Sequence, residues 1–397
     1  MLAGAGVAVG WQRSTRQLPH WEFPAARCTC CCKSAPPLSR AVWDADLVRD
    51  DLRSYVIDHL GDPGAVLVVD ETGDLKKGKH SVGVQRQYTG TAGRIENSQV
   101  AVYLTYAAPT GHALIDRALY LPQSWTERPD RCADAGIPAG TQFATKPALA
   151  TAMITAALDA GTPASWVAGD EVYGADPTLR AALEGRGVGY VLAVASNRRV
   201  PTANGPIQVD FLAAALPTRS WQRLSAGAGS HGHRMYSWAW IPINPGADGH
   251  HWVLLRRNDT TGEIAYYRTF SRRPVPLGVL VKVAGQRWRV EECFQTGKGL
   301  TGLDQHQVRQ WKSWHRWVTL AMLAHAFLTV MTAAERAAKP APVGLIPITV
   351  NELRRLFDAL LLRPNHSPER LHRWSIWPRR HQARARASHY RRREESP

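Results

Sequence analysis

Three acidic residues stand where the chain could bring carboxylates together for metal-dependent chemistry. Asp70 directly follows the apolar run Val66–Val69, and Asp170 ends the run WVAGD. Continuous apolar runs of this kind indicate buried strands, and an open α/β sheet places its chemistry at the carboxyl ends of its strands. Glu291 lies in the helical segment RWRVEECFQTGK. An Asp at a strand end often only caps the next helix, but two such ends and a helical acid predict a shared site.

Glu291 shares one helical face with two basic residues. Arg287 lies four residues before Glu291, and Lys298 lies seven residues after it. At 3.6 residues per turn, these three positions fall within about 40° of one another around the helix. The neighbouring Glu292 points about 100° away and serves as an internal control. The alternative is a surface helix with an ordinary Arg–Glu pair four residues apart.

Carboxylates that converge on one point repel each other unless a cation lies between them. Mg²⁺ takes oxygen ligands and is commonly shared with substrate phosphates. Two metal ions about 4 Å apart can hold the attacking and the leaving oxygen of a phosphodiester displacement. We therefore predict that Asp70, Asp170 and Glu291 are catalytic residues and ligands of Mg²⁺, which Mn²⁺ could replace.

The charge balance predicts a polyanionic partner. The 397 residues include 49 Lys and Arg against 33 Asp and Glu, a formal net charge of +16. A folded chain with such an excess is expected to bind nucleic acid. A solvated basic C-terminus without a partner is the alternative. The predicted DNA-contacting residues are Lys76, Lys77 and Lys79 after the first strand, Arg287 and Lys298 on the helix, and Arg379 and Arg380 in the C-terminal tail.

The hydrophobic pattern indicates the elements that must position these residues. Apolar runs alternate with helical segments between residues 61 and 199, an order typical of a sheet with a parallel part and helices over it. After residue 200 the pattern changes to strands and turns, which we expect to lie outside the central sheet. The predicted division is 1–39 irregular and poorly ordered, 40–60 helical, 61–199 first part of an α/β core, 200–274 β-rich, 275–338 helical second part of the core, and 339–397 a short helix with a basic tail.

Cysteine usage and hydropathy indicate the cellular setting. Four of the six cysteines lie in CTCCC, and the other two are isolated. A disulfide framework or a zinc site would need spaced pairs, so we expect a reducing, intracellular setting. The longest apolar stretch, residues 318–334, includes His325. Its length of about 17 residues is short for a membrane span and typical of a buried helix.

Several long blocks of the sequence resemble DDE-type insertion-sequence transposases, closely the insertion sequence 701 group and relatives with a Tyr-Arg-Glu-Lys signature. The resemblance rests, in this order, on VVDETGDLKKG, SVGVQRQYTGTAGRIENSQVAVYLTY, GHALIDRALYLPQSW, WVAGDEVYG and RWRVEECFQTGKGLTGLDQHQ, and it extends from about Arg40 to Ala338. It implies a ribonuclease H-like core, in which a mixed sheet is flanked by helices, interrupted by a β-rich insertion before the last acid and followed by a helical C-terminal part.

The resemblance also implies a function and partners. Such enzymes hydrolyse and join DNA strands at insertion-sequence ends in cut-and-paste transposition, and their metal-binding triad would here be Asp70, Asp170 and Glu291. The expected partner is double-stranded DNA, both the transposon inverted repeats and the target, with a homodimer acting on it. No membrane is expected, and the expected location is the bacterial cytoplasm, associated with the nucleoid.

Two departures from the family pattern keep other functions in view. Arg287, Glu291 and Lys298 fit the signature spacing, but the Tyr position is Ala284. Only residues 40–60 resemble the end of the family's helical N-terminal DNA-binding region, so a catalytically silent DNA-binding remnant is the alternative function. A phosphatase of the haloacid-dehalogenase type would need a second Asp two residues after Asp70, where this chain has Thr72.

Overall fold

The computed structural model describes residue 38 and residues 41–229, 232–307, 309–362 and 367–394. The segment 1–39, predicted to be irregular and poorly ordered, therefore lies outside the described residues except at Leu38. The strands are β1 Val66–Leu75, β2 Gln85–Thr89, β3 Arg94–Ala107, β4 His112–Leu119, β5 Trp166–Gly169, β6 Gly189–Val194, β7 Arg199–Thr202, β8 Gly205–Gln208, β9 Gln222–Gly229, β10 Gly232–Ile243, β11 His250–Arg257 and β12 Ile264–Ser271. The helices are α1 Ala45–Leu60, α2 Gln123–Thr126, α3 Pro129–Asp134, α4 Lys146–Asp159, α5 Glu171–Gly174, α6 Pro177–Gly185, α7 Val209–Ala214, α8 Leu277–Gln286, α9 Trp288–Thr301, α10 Trp311–Ala338, α11 Val350–Phe357 and α12 Pro368–Glu394.

One mixed sheet holds most of the strands. Its order is β2–β3–β1–β5–β6–β12–β11–β10–β9, and β4 also pairs with β3. The strands β1, β5 and β6 run parallel, whereas β3 is antiparallel to β1. The chain goes from β1 to β3 on one side and reaches β5 on the other, so the strand order reverses at β1. Open sheets bind ligands at such a point, outside the carboxyl ends of the strands.

The first half of β1 is paired at both edges, and its side chains are buried. Residues Val66–Val69 pair with β3 on one side and with β5 on the other, and these four side chains are at most 3% exposed. Beyond Val69, β3 is the partner that continues, through to Leu75. The sequence thus changes from apolar to polar at Asp70, directly after the last residue of β1 that pairs with β5.

The segment 200–274 consists mainly of strands, but its position differs from the prediction. The strands β9 to β12 form an antiparallel series, and β12 pairs with β6. The prediction that this segment lies outside the central sheet is therefore wrong, because four of its strands extend that sheet. Alternation in a sequence indicates which face of a strand is buried, but not which edge it pairs. Without β12, the edge of β6 would carry unpaired backbone groups.

The helical segment 275–338 comprises α8, α9 and α10. The long α10 packs against α1, β4 and α9, and its residues Trp314, Val318 and Met322 are at most 1% exposed. Its length and composition would allow it to cross a membrane, but 56% of its most apolar window is buried inside the protein. Packing in the core therefore accounts for its apolar composition.

The predicted basic tail is a helix rather than an extended appendage. A π-helical turn, Asp358–Leu362, continues α11, and α12 then runs over 27 residues with Pro378 inside it. Ser375 is 3% exposed, and α12 contacts α11 and β10. The sequence did not indicate this helix because an Arg-rich segment carries no apolar period.

Candidate active site

Asp70 and Asp170 meet where β5 ends beside β1. In the parallel pair, Val69 stands opposite Gly169, so each Asp directly follows the last paired residue. The Asp70 carboxylate accepts a hydrogen bond from its neighbouring backbone N–H at 2.8 Å. The Asp170 carboxylate caps α5 by accepting the N–H of Val172 at 2.9 Å. The structure thus brings the two predicted strand-end acids together.

Glu71 is the third acid at this point, and the sequence analysis did not select it. One oxygen from each of Asp70, Glu71 and Asp170 lies within 4.8 Å of the others. The Glu71 carboxylate accepts hydrogen bonds at 2.6 Å from the Lys146 ammonium and at 2.6 Å from the Tyr173 hydroxyl. Because Lys146 begins α4 and Tyr173 lies in α5, two helices hold this carboxylate in place.

Glu291 approaches the same site from α9 through an arginine. Arg287 Nη1 is 3.3 Å from Asp70 Oδ2 and 3.8 Å from Glu291 Oε1, which limits the separation of these two oxygens to 7.1 Å. The Glu291 side chain is 44% exposed, and it is not a member of the 4.8 Å cluster. The structure therefore places Glu291 next to the cluster, joined to Asp70 by a shared guanidinium.

Lys298 continues this contact between α9 and β1. Its ammonium donates to the Thr72 hydroxyl at 2.8 Å and lies 3.7 Å from Asp74 Oδ1. Because successive strand side chains point to opposite faces, Asp70, Thr72 and Asp74 share one face of β1. The face of α9 that carries Arg287, Glu291 and Lys298 thus lies along the polar face of β1.

Glu292 points away from this site, as its position on the helix predicts. Its carboxylate accepts a hydrogen bond from Arg289 Nη1 at 2.7 Å and lies 3.3 Å from His112 Nε2. The two neighbouring glutamates of α9 therefore have separate partners, and Glu292 is a suitable control for Glu291.

The two aspartates of the cluster hold protons more tightly than exposed aspartates. Burial, together with the neighbouring Asp170, raises the pKa of Asp70 to about 8, whereas Arg287 opposes the shift. The pKa of Asp170 is also raised, first by burial and then by Glu71. Arg287 lowers the pKa of both aspartates, but by less than burial and the neighbouring acids raise it. A further cation would therefore stabilise the ionised form of these acids.

The donors of this cluster fit a hard divalent cation. Asp70, Glu71 and Asp170 offer carboxylate oxygens, the ligand type that Mg²⁺ and Mn²⁺ prefer. They lie close enough to share one ion, and the exposed Glu291 carboxylate is joined to Asp70 through Arg287. Mg²⁺ usually keeps several waters and one or two protein carboxylates, so the full set is not required.

Comparison with known proteins identifies the segment that carries the first two acids. Residues 37–210 match the family described as DDE superfamily endonuclease. A stretch of 166 residues is 30% identical to the probable transposase for insertion sequence element IS701 of Microchaete diplosiphon, and it covers 41% of this chain and 40% of that relative. This part of the chain is similar to DDE superfamily endonucleases and to an insertion-sequence transposase. The resemblance to the insertion sequence 701 group inferred from the sequence is thereby confirmed.

The matches to DDE transposases do not extend over all parts of the site. The family segment contains Asp70, Glu71 and Asp170, but it ends at residue 210, before Glu291. The chain spans about 40% of the length of the curated relative that it matches. The placement of Glu291 therefore rests on its contacts in the structure and on the signature spacing of its helix.

The three lysines after β1 that were predicted to contact DNA divide into two groups. The Lys76 ammonium donates to the His306 carbonyl at 2.7 Å and is therefore already engaged inside the chain. Lys77 and Lys79 are exposed beside it. The sequence could not separate the three lysines, because the loop that carries His306 lies 230 residues further along.

The two arginines predicted to contact DNA from the C-terminus also differ. Arg379 Nε donates to the Ile346 carbonyl at 3.2 Å and helps to hold α12 in place. Arg380 is exposed. In a helix these neighbours point about 100° apart, so only one of them can face the protein.

Proposed function

We propose that the chain is a DNA transposase with a ribonuclease H-like core that cleaves and joins DNA strands at insertion-sequence ends. The observation that carries this proposal is the meeting of Asp70 and Asp170 at the reversal point of the sheet, with Glu291 tied to Asp70 through Arg287. The core strands β1, β3, β4, β5 and β6 supply the mixed sheet that this fold requires. The proposed reaction is cut-and-paste transposition, and the proposed substrates are the insertion-sequence ends and the target DNA.

Asp70, Asp170 and Glu291 would hold Mg²⁺, with Mn²⁺ as a substitute. Bound there, the metal would lower the pKa of a water nucleophile and stabilise the charge of a phosphodiester in displacement. Glu71 keeps a fixed carboxylate beside the two aspartates through Lys146 and Tyr173. The raised pKa of Asp70 means that loading with metal releases a proton below pH 8 or so.

Arg287 and Lys298 are placed to receive substrate phosphates. Each now contacts an acid of β1, at 3.3 Å for Arg287 with Asp70 and at 3.7 Å for Lys298 with Asp74. A divalent cation held by Asp70 would weaken the attraction between this carboxylate and the guanidinium, and Arg287 could then pair with a phosphate. Because an insertion sequence has two ends, we further propose that two copies act on the DNA as a homodimer.

The C-terminal helix α12 supplies a second basic surface for DNA. Arg373, Arg380, Arg384 and Arg391 are all exposed, and at 100° per residue they fall within about 40° of one face. We call these four residues the α12 stripe. Arg379 lies on a different side and contacts the Ile346 carbonyl. We propose that the α12 stripe is the part of the predicted basic tail that contacts DNA phosphates.

A strand-nicking assay tests the proposed function. The substrate is a duplex that carries the ends of the insertion sequence encoding this chain, with Mg²⁺ or Mn²⁺ and with binding measured in parallel. We expect metal-dependent nicking at the ends by the wild type. Wild-type protein that binds this DNA but does not cut it would instead support the catalytically silent remnant.

A further inference from the structure

A basic cavity lies at the far end of β1, away from the acidic cluster. Its volume is about 570 Å³, a size that accommodates a small ligand or a segment of a larger one. It opens between the loop that follows β1, the start of β2, and helices α2 and α3. Its titratable lining residues are Lys79, His80, Arg86, Arg128, Arg131 and Asp134.

Arg131 forms a wall of this cavity, and no acidic side chain among the described residues forms an ion pair with it. Its guanidinium stacks over the Trp125 ring at 3.6 Å from the centroid and donates to the carbonyls of Lys79 and Val84 at 3.1 and 3.4 Å. Trp125 is 1% exposed, and its indole N–H donates to the same Val84 carbonyl at 2.9 Å. The charge of Arg131 is thus fixed in place by neutral groups and remains available to attract an anion.

The other charges of the cavity add to this attraction. Lys79, Arg86 and Arg128 are exposed at its rim, so four permanent cations face one carboxylate, that of Asp134. Burial and the neighbouring Arg128 lower the pKa of Arg131, as expected when like charges stand close together. A cavity with this charge fits a phosphate group better than a neutral or cationic ligand.

The sheet relates the cavity to the active site. Gln85 at the start of β2 pairs with Ser98, and Ser98 pairs with Leu75 at the end of β1. Leu75 is five residues after Asp70, which corresponds to roughly 17 Å along a strand. Since successive base pairs of a duplex are about 3.4 Å apart, the cavity lies on the order of five base pairs from the acids.

We propose that this cavity binds a backbone phosphate of duplex DNA about five base pairs from the reacting phosphodiester. Arg86, Arg128 and Lys79 contact the phosphate oxygens, and Arg131 supplies a fixed positive wall. The cavity lining is basic and open, so the contact positions the duplex without selecting its sequence. The inference rests on the proposed function only in taking DNA as the ligand.

DNA affinity measured across a range of salt concentrations tests this site. The probe is a 30-base-pair duplex of arbitrary sequence, in EDTA so that no cleavage occurs. Arg86→Ala and Arg128→Ala should each weaken binding several-fold and make the salt dependence shallower by about one unit of slope. Asp134→Asn should tighten binding, because it removes the one acid of the lining. Arg219→Ala, at an exposed position on the turn before β9, should leave the slope unchanged.

The outcomes test the phosphate site in the cavity separately from the proposed cleavage of DNA. Unchanged slopes for Arg86→Ala and Arg128→Ala, or an equal effect of Arg219→Ala, would overturn the cavity site even if the wild type nicks DNA. A wild type with the expected slopes but no nicking would contradict the proposed reaction and leave the phosphate site supported. Thermal unfolding of each variant checks that the fold is retained, and Arg131 is left intact because it braces Trp125.

Discussion

Two glutamates stand beside Asp70, and the protein holds them very differently. Glu71 is 18% exposed, and its two oxygens accept hydrogen bonds of 2.6 Å from Lys146 and Tyr173. Glu291 is 44% exposed and lies 3.8 Å from Arg287. The first carboxylate is held by two hydrogen bonds, whereas the second is more exposed and lies beside a guanidinium.

This difference indicates separate tasks for the two residues. A carboxylate that accepts two charge-assisted hydrogen bonds is held in one position. A carboxylate with room to move can join the site when metal and DNA arrive. We therefore expect Glu71 to keep its contacts with Lys146 and Tyr173 when metal binds, whereas Glu291 is the acid that we propose as the third metal ligand.

The largest expected effect comes from replacing Asp70, the acid that lies beside both glutamates. Asp70→Asn should reduce metal-dependent nicking by on the order of 1,000-fold or more, because the amide removes charge from the site. The metal-free variant should nevertheless be at least as stable as the wild type, since a buried carboxylate with a pKa near 8 is replaced by a neutral isostere. Nicking rates and urea unfolding measure the two effects.

The pH dependence of that stability difference has a definite sign. The folded-state pKa of Asp70 is raised, so its stabilising contribution is present below the unfolded value near 4 and is lost as pH rises towards 8. The free energy of unfolding of Asp70→Asn should therefore exceed that of the wild type by an amount that grows between about pH 4 and pH 8 in EDTA. Asp130→Asn, at an exposed position of α3, should show no such growth. A variant that is less stable than the wild type at pH 8 would contradict the assignment of Asp70 as a repelled, buried acid.

The second prediction concerns the neighbouring glutamates of α9. Glu291→Gln should lower nicking by roughly 100-fold to 1,000-fold while DNA binding largely survives, since only the mobile metal ligand is lost. Glu292→Gln should change nicking by less than about tenfold, because its carboxylate contacts Arg289 and His112 instead. Equal losses in the two variants would show that the helix face does not decide which glutamate acts.

The sequence predicted these parts of the site unequally, for physical reasons. Asp70 and Asp170 were found because an apolar strand that ends in an acid leaves a clear pattern. Glu71 was missed because successive residues of a strand point to opposite faces. The sequence therefore predicts that the side chains of Glu71 and Asp70 lie apart. Its partners Lys146 and Tyr173 lie 75 and 102 residues away, and no local pattern connects them.

The fold was likewise predicted where local pattern determines it. The parallel strands β1, β5 and β6 follow from alternating strand and helix segments. The pairing of β12 with β6 joins residues such as Phe270 and Tyr190, and hydrophobic alternation cannot specify such a distant edge. The helix α12 was missed because its fold-stabilising contacts, such as Arg379 with the Ile346 carbonyl, are polar.

The third prediction weakens the fixed glutamate without removing it. Tyr173→Phe deletes one hydrogen bond to Glu71, and a hydrogen bond to a charged group contributes about 1.5–3 kcal/mol. The variant should be destabilised by up to that amount, and its half-saturating Mn²⁺ concentration for nicking should rise by about tenfold. Tyr190→Phe is the matched control, because Tyr190 makes the same kind of bond to Glu184. Loss of stability in both variants with an unchanged Mn²⁺ requirement would limit Glu71 to a purely structural role.

The fourth prediction contrasts the acids of the site with buried histidines elsewhere. Burial lowers the pKa of His325 to about 3 and that of His306 to about 4. Their stabilising contribution is present above the unfolded value near 6.5 and is lost as pH falls towards these folded values. The protein should therefore become less stable between pH 6.5 and pH 4, opposite in direction to the effect of Asp70. Urea unfolding at several pH values checks this, and His325→Gln should flatten the dependence; an unchanged slope in that variant would contradict it.

The smallest effects are expected on the α12 stripe. Arg380→Ala and Arg384→Ala should each weaken DNA binding by a few-fold and reduce the salt slope by about one unit. Arg379→Ala and Arg386→Ala should change the slope less, because these side chains contact the Ile346 carbonyl and the Tyr390 hydroxyl. If all four variants behave alike, the basic charge of α12 acts without a preferred face.

Anomalous diffraction from Mn²⁺ in crystals of the protein tests the metal site most directly. A peak should lie about 2.2 Å from oxygens of both Asp70 and Asp170, near the distances that Mg²⁺ takes to its ligands. With DNA ends present, Glu291 should turn towards the metal while Glu71 keeps its contacts with Lys146 and Tyr173. Mn²⁺ bound elsewhere, with neither aspartate as a ligand, would contradict the assignment of this cluster as the catalytic centre.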